Sequence, residues 1–275
     1  MEQIEIRPLS AALGAEILGI DIGKPLTPGI VERIRQAFLE HLVIFFRDQQ
    51  LTPHDLLAFA CLFGEPMHYP QLKGLPEYPL VTAVIKREHE LTNFGGVWHT
   101  DTAYLECPPM ASLLYALETP PQGGDTLFAN QYLAYETLPA SLKNNLDGLI
   151  GVNSSAKPEA SRTREDRQRE SGEELKILTA RHPVVRTHPE TGRKSLYVNA
   201  GHTTQLEGLS EQESKNLLAG LFNHQIRPEF VARFQWAPGS LALWDNRCTL
   251  HYPLNDYHGY RRVMHRVTLA GDHPA

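Results

Sequence analysis

The side chains in this sequence best placed to do chemistry together are His99, Asp101 and His251. The first two lie in VWHTDTAY, where Val97, Trp98, Thr100, Thr102 and Tyr104 all favour extended backbone. The stretch is therefore predicted as a strand, in which residues i and i+2 leave the same face. His99 and Asp101 would then aim an imidazole and a carboxylate at one point, a donor pair suited to a divalent transition metal. His251, in LHYPLNDY, is the candidate third donor. Two histidines and one carboxylate on one side of an octahedron leave the opposite positions open, as in non-haem Fe(II) oxygenases. The HxD pair is a weak signal by itself, because such groups more often only hydrogen-bond to the protein.

A pair of cations follows in RRVMHRVTL. As a strand, this stretch puts Arg262, Met264 and Arg266 on one face. Guanidiniums on an inward face need anionic partners, since a buried charge left unpaired costs about 3–5 kcal/mol. The planar fork of Arg pairs with a carboxylate, sulfonate or phosphate-like group through two parallel hydrogen bonds. Two readings stay open from these residues alone: anionic ligands near a metal, or Asp and Glu side chains of the protein itself.

The elements that must position these groups are mostly short strands. Ile4–Ile6 and Leu13–Ile22 alternate enough for two strands, and Leu42–Phe46 reads as a buried one. Thr27-Pro28 and Thr52-Pro53 mark two helix starts, and Gly64 ends the second. Strands are predicted at Leu80–Ile85, Met110–Leu117, Thr126–Phe128, Val184–Thr187, Ser195–Asn199, Phe230–Trp236, Ser240–Trp244 and Val263–Leu269. Tyr132–Leu138 and Ser141–Leu149 read as short helices, and Ser210 with Glu213 is a capping box for another. Residues 157–174 are dense in Arg and Glu and read as a solvated linker or a mobile lid. Many short strands with flanking helices fit a mostly β chain with a jelly-roll core, in one domain spanning 1–275.

Composition narrows the class. The chain is 41% hydrophobic and 21% charged, as ordinary globular proteins are. A net charge of −6 argues against a nucleic-acid surface, which is usually basic. Cys61, Cys107 and Cys248 are far apart and odd in number, so neither a disulfide framework nor a CxxC metal site follows. Three reduced thiols, with no signal-peptide segment in MEQIEIRPLS, fit a cytoplasmic protein. No apolar run is long enough to span a bilayer, so no membrane partner is expected.

WHTD at 98–101, GGDT at 123–126, WDNR at 244–247, His251 and RRVMHR at 261–266 resemble, in order and spacing, the taurine dioxygenase/2,4-dichlorophenoxyacetate dioxygenase (TauD/TfdA) family. HPVVRTHPETG at 182–192 and LYVNAGHTT at 196–204 extend the likeness over nearly the whole chain. The resemblance implies a double-stranded β-helix fold and an Fe(II)- and 2-oxoglutarate-dependent dioxygenase. It implies His99, Asp101 and His251 as iron ligands, and Thr126 and Arg262 as holders of the far carboxylate of 2-oxoglutarate. Arg266, assisted by His68, would bind the acidic group of a small anionic substrate, a sulfonate or related acid. O2 would be the other substrate, succinate and CO2 the co-products, and a homo-oligomer the expected assembly.

The sequence departs from the taurine enzymes' pattern around the substrate: Gln71 stands where an aromatic is expected, Gly95 replaces a polar residue and His202 a phenylalanine. Taurine itself is therefore not the expected substrate; an aryloxyalkanoate or other carboxylic acid is the alternative. A non-catalytic metal-binding sensor or a zinc hydrolase would share the three ligands but give no reason for Arg262.

Overall fold

The computed structural model describes residues 4–70, 72–157 and 176–275. Local sequence starts the helices where expected. Pro28 occupies the first turn of the Pro28–His41 helix, Ile30, Ile34, Ala37 and Phe38 form its buried stripe, and Leu42 closes it at φ 66°. Thr52 and Asp55 form a reciprocal capping box on Pro53–Ala60, as Ser210 and Glu213 do on Glu211–Gln225.

Eight strands build the main sheet. Glu5–Pro8, Ala15–Leu18, Val43–Phe46, Leu241–Asp245, Ala111–Glu118, Arg262–Leu269 and Pro66–Met67 lie in that order, and Val81–Lys86 also pairs with Arg262–Leu269. Val43–Phe46 is buried throughout, as a central strand covered on both faces should be. The smaller sheet runs Val231–Phe234, Thr126–Asn130, Thr249–Pro253. The two sheets pack face to face: Phe45 stacks on Phe234 at 3.9 Å and meets Phe128 edge-on at 5.7 Å. The first two helices cover the other face of the main sheet through Ile34, Phe38, Leu56 and Phe59. This is the jelly roll, mostly β with helices on its flanks.

The predicted strand through His99 is not one. His99 makes a single antiparallel bridge to His251, with its amide donating to the His251 carbonyl at 3.1 Å and the reverse bond at 2.8 Å. Beyond it the chain turns, with Thr102 at φ 42°. Strand preference describes fit to a pleated surface, and no strand flanks this stretch beyond that one bridge. The strand Thr249–Pro253, which carries His251, is not among the predicted ones; its residues TLHYP lack clean alternation. Nor is the three-stranded sheet Thr203–Leu206, Ile150–Ser154, Thr179–Pro183, whose polar residues hide the pattern. The helix predicted over Ser141–Leu149 ends early, at Leu146, and Gly148 takes φ 72° beyond it.

Of the segment 157–174 only Lys157 lies within the described residues; its Nζ donates to the carbonyls of Ala200 and Thr203. Among the described residues no helix is long and apolar enough to cross a membrane.

Candidate active site

His99, Asp101 and His251 meet between the two sheets, and their ligand atoms all lie within 4.8 Å of one another. Nε2 of His99 and Nε2 of His251 lie 3.8 and 3.9 Å from the same oxygen, Oδ1 of Asp101. All three residues are buried. Nδ1 of His99 is 2.7 Å from the Val97 carbonyl, which can only accept, so the proton sits on Nδ1 and the Nε2 lone pair faces Asp101. Two glycines leave room for this ring. A Cβ on Gly95 would stand 2.7 Å from Cε1 of His99, and one on Gly201 2.8 Å from its Cβ.

Electrostatics keeps the three donors in metal-binding form. Burial disfavours the Asp101 carboxylate, but Arg266, the two imidazoles and the Ser112 hydroxyl outweigh it and hold the group well below the usual carboxylate range. Burial, then the neighbouring His99, pushes His251 down to about 3, and burial lowers His99 too. The imidazoles are therefore neutral and the carboxylate charged at neutral pH, the ionisation a metal requires.

Arg262 and Thr126 line one cavity with His99 and His251, and Arg266 lines it as well. Thr126 accepts a hydrogen bond from Nε1 of Trp236 at 2.9 Å. Arg262 is buried, and its Nε and Nη2 have no partner among the described residues. Arg266 lies over the ring of Tyr69 at 3.7 Å, with Phe94 at 5.9 Å. Its Nη1 reaches Asp101 Oδ1 at 3.4 Å, while its Nε and Nη2 have no partner among the described residues. Of the two readings left open for these arginines, carboxylates of the described residues account for one long contact of Arg266 and none of Arg262. Buried N–H groups without partners among the described residues fit anionic ligands, and two imidazoles whose Nε2 atoms converge on one carboxylate oxygen fit a divalent metal.

Of the residues singled out in the sequence, one lies off the cavity, and two neighbours of Asp101 gave little sign of their place. His68 is exposed and does not line the cavity; Tyr69 beside it turns inward against Arg266. Gln71 lies outside the described residues. His202 is buried edge-on to Tyr104 and His99. Trp98 packs on Tyr252, whereas Trp244 lines the cavity 4.9 Å from His251. Ser112 and Asn246, next to Asp101, carried no signal beyond Asn246 lying in WDNR.

A second buried cluster of the same kind, His188, Asp245 and Cys248, adjoins the first. Here Nδ1 of His188 accepts the amides of Glu190 and Thr191 at 3.2 and 3.1 Å, so its proton is on Nε2 and is donated to Asp245 Oδ2 at 3.0 Å. Arg247 fills both oxygens of Asp245 through Nε and Nη2. No lone pair of this imidazole is left for a metal.

Comparison with known proteins agrees with the geometry. An alkylsulfatase of Acinetobacter baylyi is 37% identical, over 98% of this chain and 86% of its own length. An alpha-ketoglutarate-dependent sulfate ester dioxygenase of Pseudomonas putida is 35% identical, over 99% of this chain and 91% of its own. The crystal structure of a taurine dioxygenase from Burkholderia xenovorans superposes with a TM-score of 0.85 at 40% identity, covering 99% of this chain and 92% of that one. Residues 5–268 match the model of the taurine catabolism dioxygenase TauD, TfdA family, and the chain belongs to that family.

Proposed function

We propose that His99, Asp101 and His251 ligate the iron of this enzyme, that Arg262 and Thr126 hold the far carboxylate of 2-oxoglutarate, and that Arg266 receives the anionic group of the primary substrate. The chain is a 2-oxoglutarate-dependent non-haem iron dioxygenase. The observation that carries the assignment is the buried guanidinium of Arg262, its Nε and Nη2 unpartnered among the described residues, on the wall of the cavity that His99 and His251 also line. When bound, ferrous iron and 2-oxoglutarate supply an oxidative decarboxylation to succinate and CO2, coupled through O2 to hydroxylation of a substrate C–H bond.

The protein's own residues supply placement. Arg262 would fix the co-substrate by a charge-assisted fork, and Thr126, whose oxygen already accepts the Trp236 indole N–H, would donate its hydroxyl proton to the same carboxylate. The Tyr69 ring, 3.7 Å from the Arg266 guanidinium, holds it in place, and its Nε and Nη2 would receive the anion. Trp244, Phe128 and Leu114 keep the space beside the imidazoles apolar, which excludes water from the reacting carbon.

The substrate we propose is an organic sulfate ester or sulfonate with an apolar chain. Apart from the cations, the histidines and Thr126, the described lining of the cavity is Val84, Phe94, Leu114 and other apolar or aromatic groups, and among the described residues that line it none is a carboxylate that could meet an ammonium tail. Hydroxylation at the carbon bearing the sulfate oxygen gives an adduct that collapses to an aldehyde and sulfate. Succinate formation, measured under air with Fe(II), 2-oxoglutarate and a set of alkyl sulfates, alkyl sulfonates, taurine and aryloxy acids, tests this. Alkyl sulfates or sulfonates should drive it most strongly. Stronger turnover with aryloxy acids or taurine would overturn the substrate class.

A further inference from the structure

Asp101 is buried with its two oxygens in different surroundings. Oδ1 faces Nε2 of both imidazoles, whereas Oδ2 accepts the Ser112 hydroxyl at 2.7 Å. Ser112 lies opposite Trp244 in the pairing of their strands, so the two side chains share a face. Between them stands the Asn246 amide. Its Oδ1 accepts from Trp244 Nε1 at 2.9 Å and lies 3.4 Å from the backbone amide of Asp101; its Nδ2 donates to Ser112 Oγ at 3.1 Å. Nothing in this chain of bonds is free to reverse. An indole N–H and a backbone N–H can only donate, so the amide oxygen must face them. The amide NH2 then faces Ser112, whose single proton is left for Asp101.

We propose that Trp244, Asn246 and Ser112 form a one-way hydrogen-bond relay that keeps Oδ2 of Asp101 occupied, so that Asp101 offers the metal one oxygen and leaves the remaining positions to the co-substrate and O2. Ser112 and Asn246 are positioning residues, acting through Asp101. This rests on the assignment of Asp101 as a ligand. Asn246→Asp is the sharpest probe: its carboxylate accepts from both neighbours, draws the Ser112 proton to itself and frees Oδ2. Ser112→Ala removes the donor without adding charge, and Ser112→Thr keeps the hydroxyl.

The experiment is anaerobic titration of the full chain with Fe(II) and 2-oxoglutarate, reading the visible charge-transfer band, alongside thermal melting of the metal-free protein. Asn246→Asp and Ser112→Ala should displace the band and Ser112→Ala should weaken Fe(II) binding about tenfold or more. Ser112→Thr should restore both readouts. Wild-type band position and affinity in Ser112→Ala and Asn246→Asp, with only the melting temperature lowered, would overturn the relay. Absence of any band in the unaltered chain would instead overturn the iron and 2-oxoglutarate assignment, which separates the two failures.

Discussion

Among the described residues, two buried clusters of His, Asp and a third donor lie back to back, and only one of the two leaves donor atoms open. The WDNR stretch divides them: Trp244 and Asn246 turn toward His251 and Ser112, while Asp245 and Arg247 turn toward His188 and Glu190. In the His99 cluster a carbonyl takes the imidazole proton and the Nε2 lone pair is left facing the carboxylate. In the His188 cluster backbone amides fill the lone pair, and the proton closes onto Asp245. Arg247 completes the closure and is itself tied to Glu190, which pairs with Arg35 on the first helix. Both sides have a histidine and an aspartate to offer. Hydrogen-bond saturation closes one of them into a brace and leaves the other with donor atoms free to take a ligand.

Breaking each side should therefore fail differently. The largest effect is on the open side: His251→Ala should abolish Fe(II) binding and reduce succinate formation to background, measured by metal titration and coupled assay. On the closed side, Asp245→Asn leaves Arg247 short of its partner and should lower stability by about 3–5 kcal/mol, a drop in Tm on the order of 10 °C. It should do so without removing the iron–2-oxoglutarate band. If Asp245→Asn lost the band at a temperature where it is folded, the division between the clusters would be wrong.

The two arginines sharpen the comparison within the open side. Losing a hydrogen bond to a charged group costs about 1.5–3 kcal/mol, or roughly 10–100-fold in affinity. Arg262→Ala should raise the KM for 2-oxoglutarate by that factor and spare the primary substrate. Arg266→Ala should do the reverse, and equal effects on both would refute the assignment.

Acid stability gives the smallest signal. His251 titrates near 3 in the folded chain against 6.5 ordinarily, so between those values the unfolded chain binds a proton that the folded one does not. Metal-free stability should fall as pH drops below about 6.5. The Asp245 carboxylate, held low by Arg247 and His188 against its burial, keeps its contribution until pH falls below the ordinary carboxylate range. Urea unfolding at pH 7 and 5 reads the difference, and His251→Gln should flatten part of the slope. An unchanged slope would mean that His251 is not the group responsible.

Much of the frame was legible. The capping box at Ser210, the helix starts at Thr27-Pro28 and Thr52-Pro53 and the apolar run Leu42–Phe46 are local signals, and the chain follows them, except that Leu42 closes the first helix and the strand begins at Val43. The strand carrying Arg262 and Arg266 was legible too, including their shared face, because a two-residue period survives any packing arrangement. The stretch around His99 was not. Its β-branched and aromatic residues promised a strand, yet the chain bends there because one bridge to His251 and two close glycines fix the imidazole instead. His68 misled for a similar reason: adjacent residues on a loop can face opposite ways, and Tyr69 holds the inward place.

By itself, the sequence determined the candidate donor types, the cation pair and the strand that carries that pair, since these depend on residue chemistry and short-range periodicity. Only the tertiary structure decided which His–Asp cluster stays open, which arginine N–H groups lack partners, and which oxygen of Asp101 is tied down. Those outcomes depend on where protons go, and a proton's place is set by neighbours far away along the chain: Asn246 beside Ser112, and Glu190 beside Arg247.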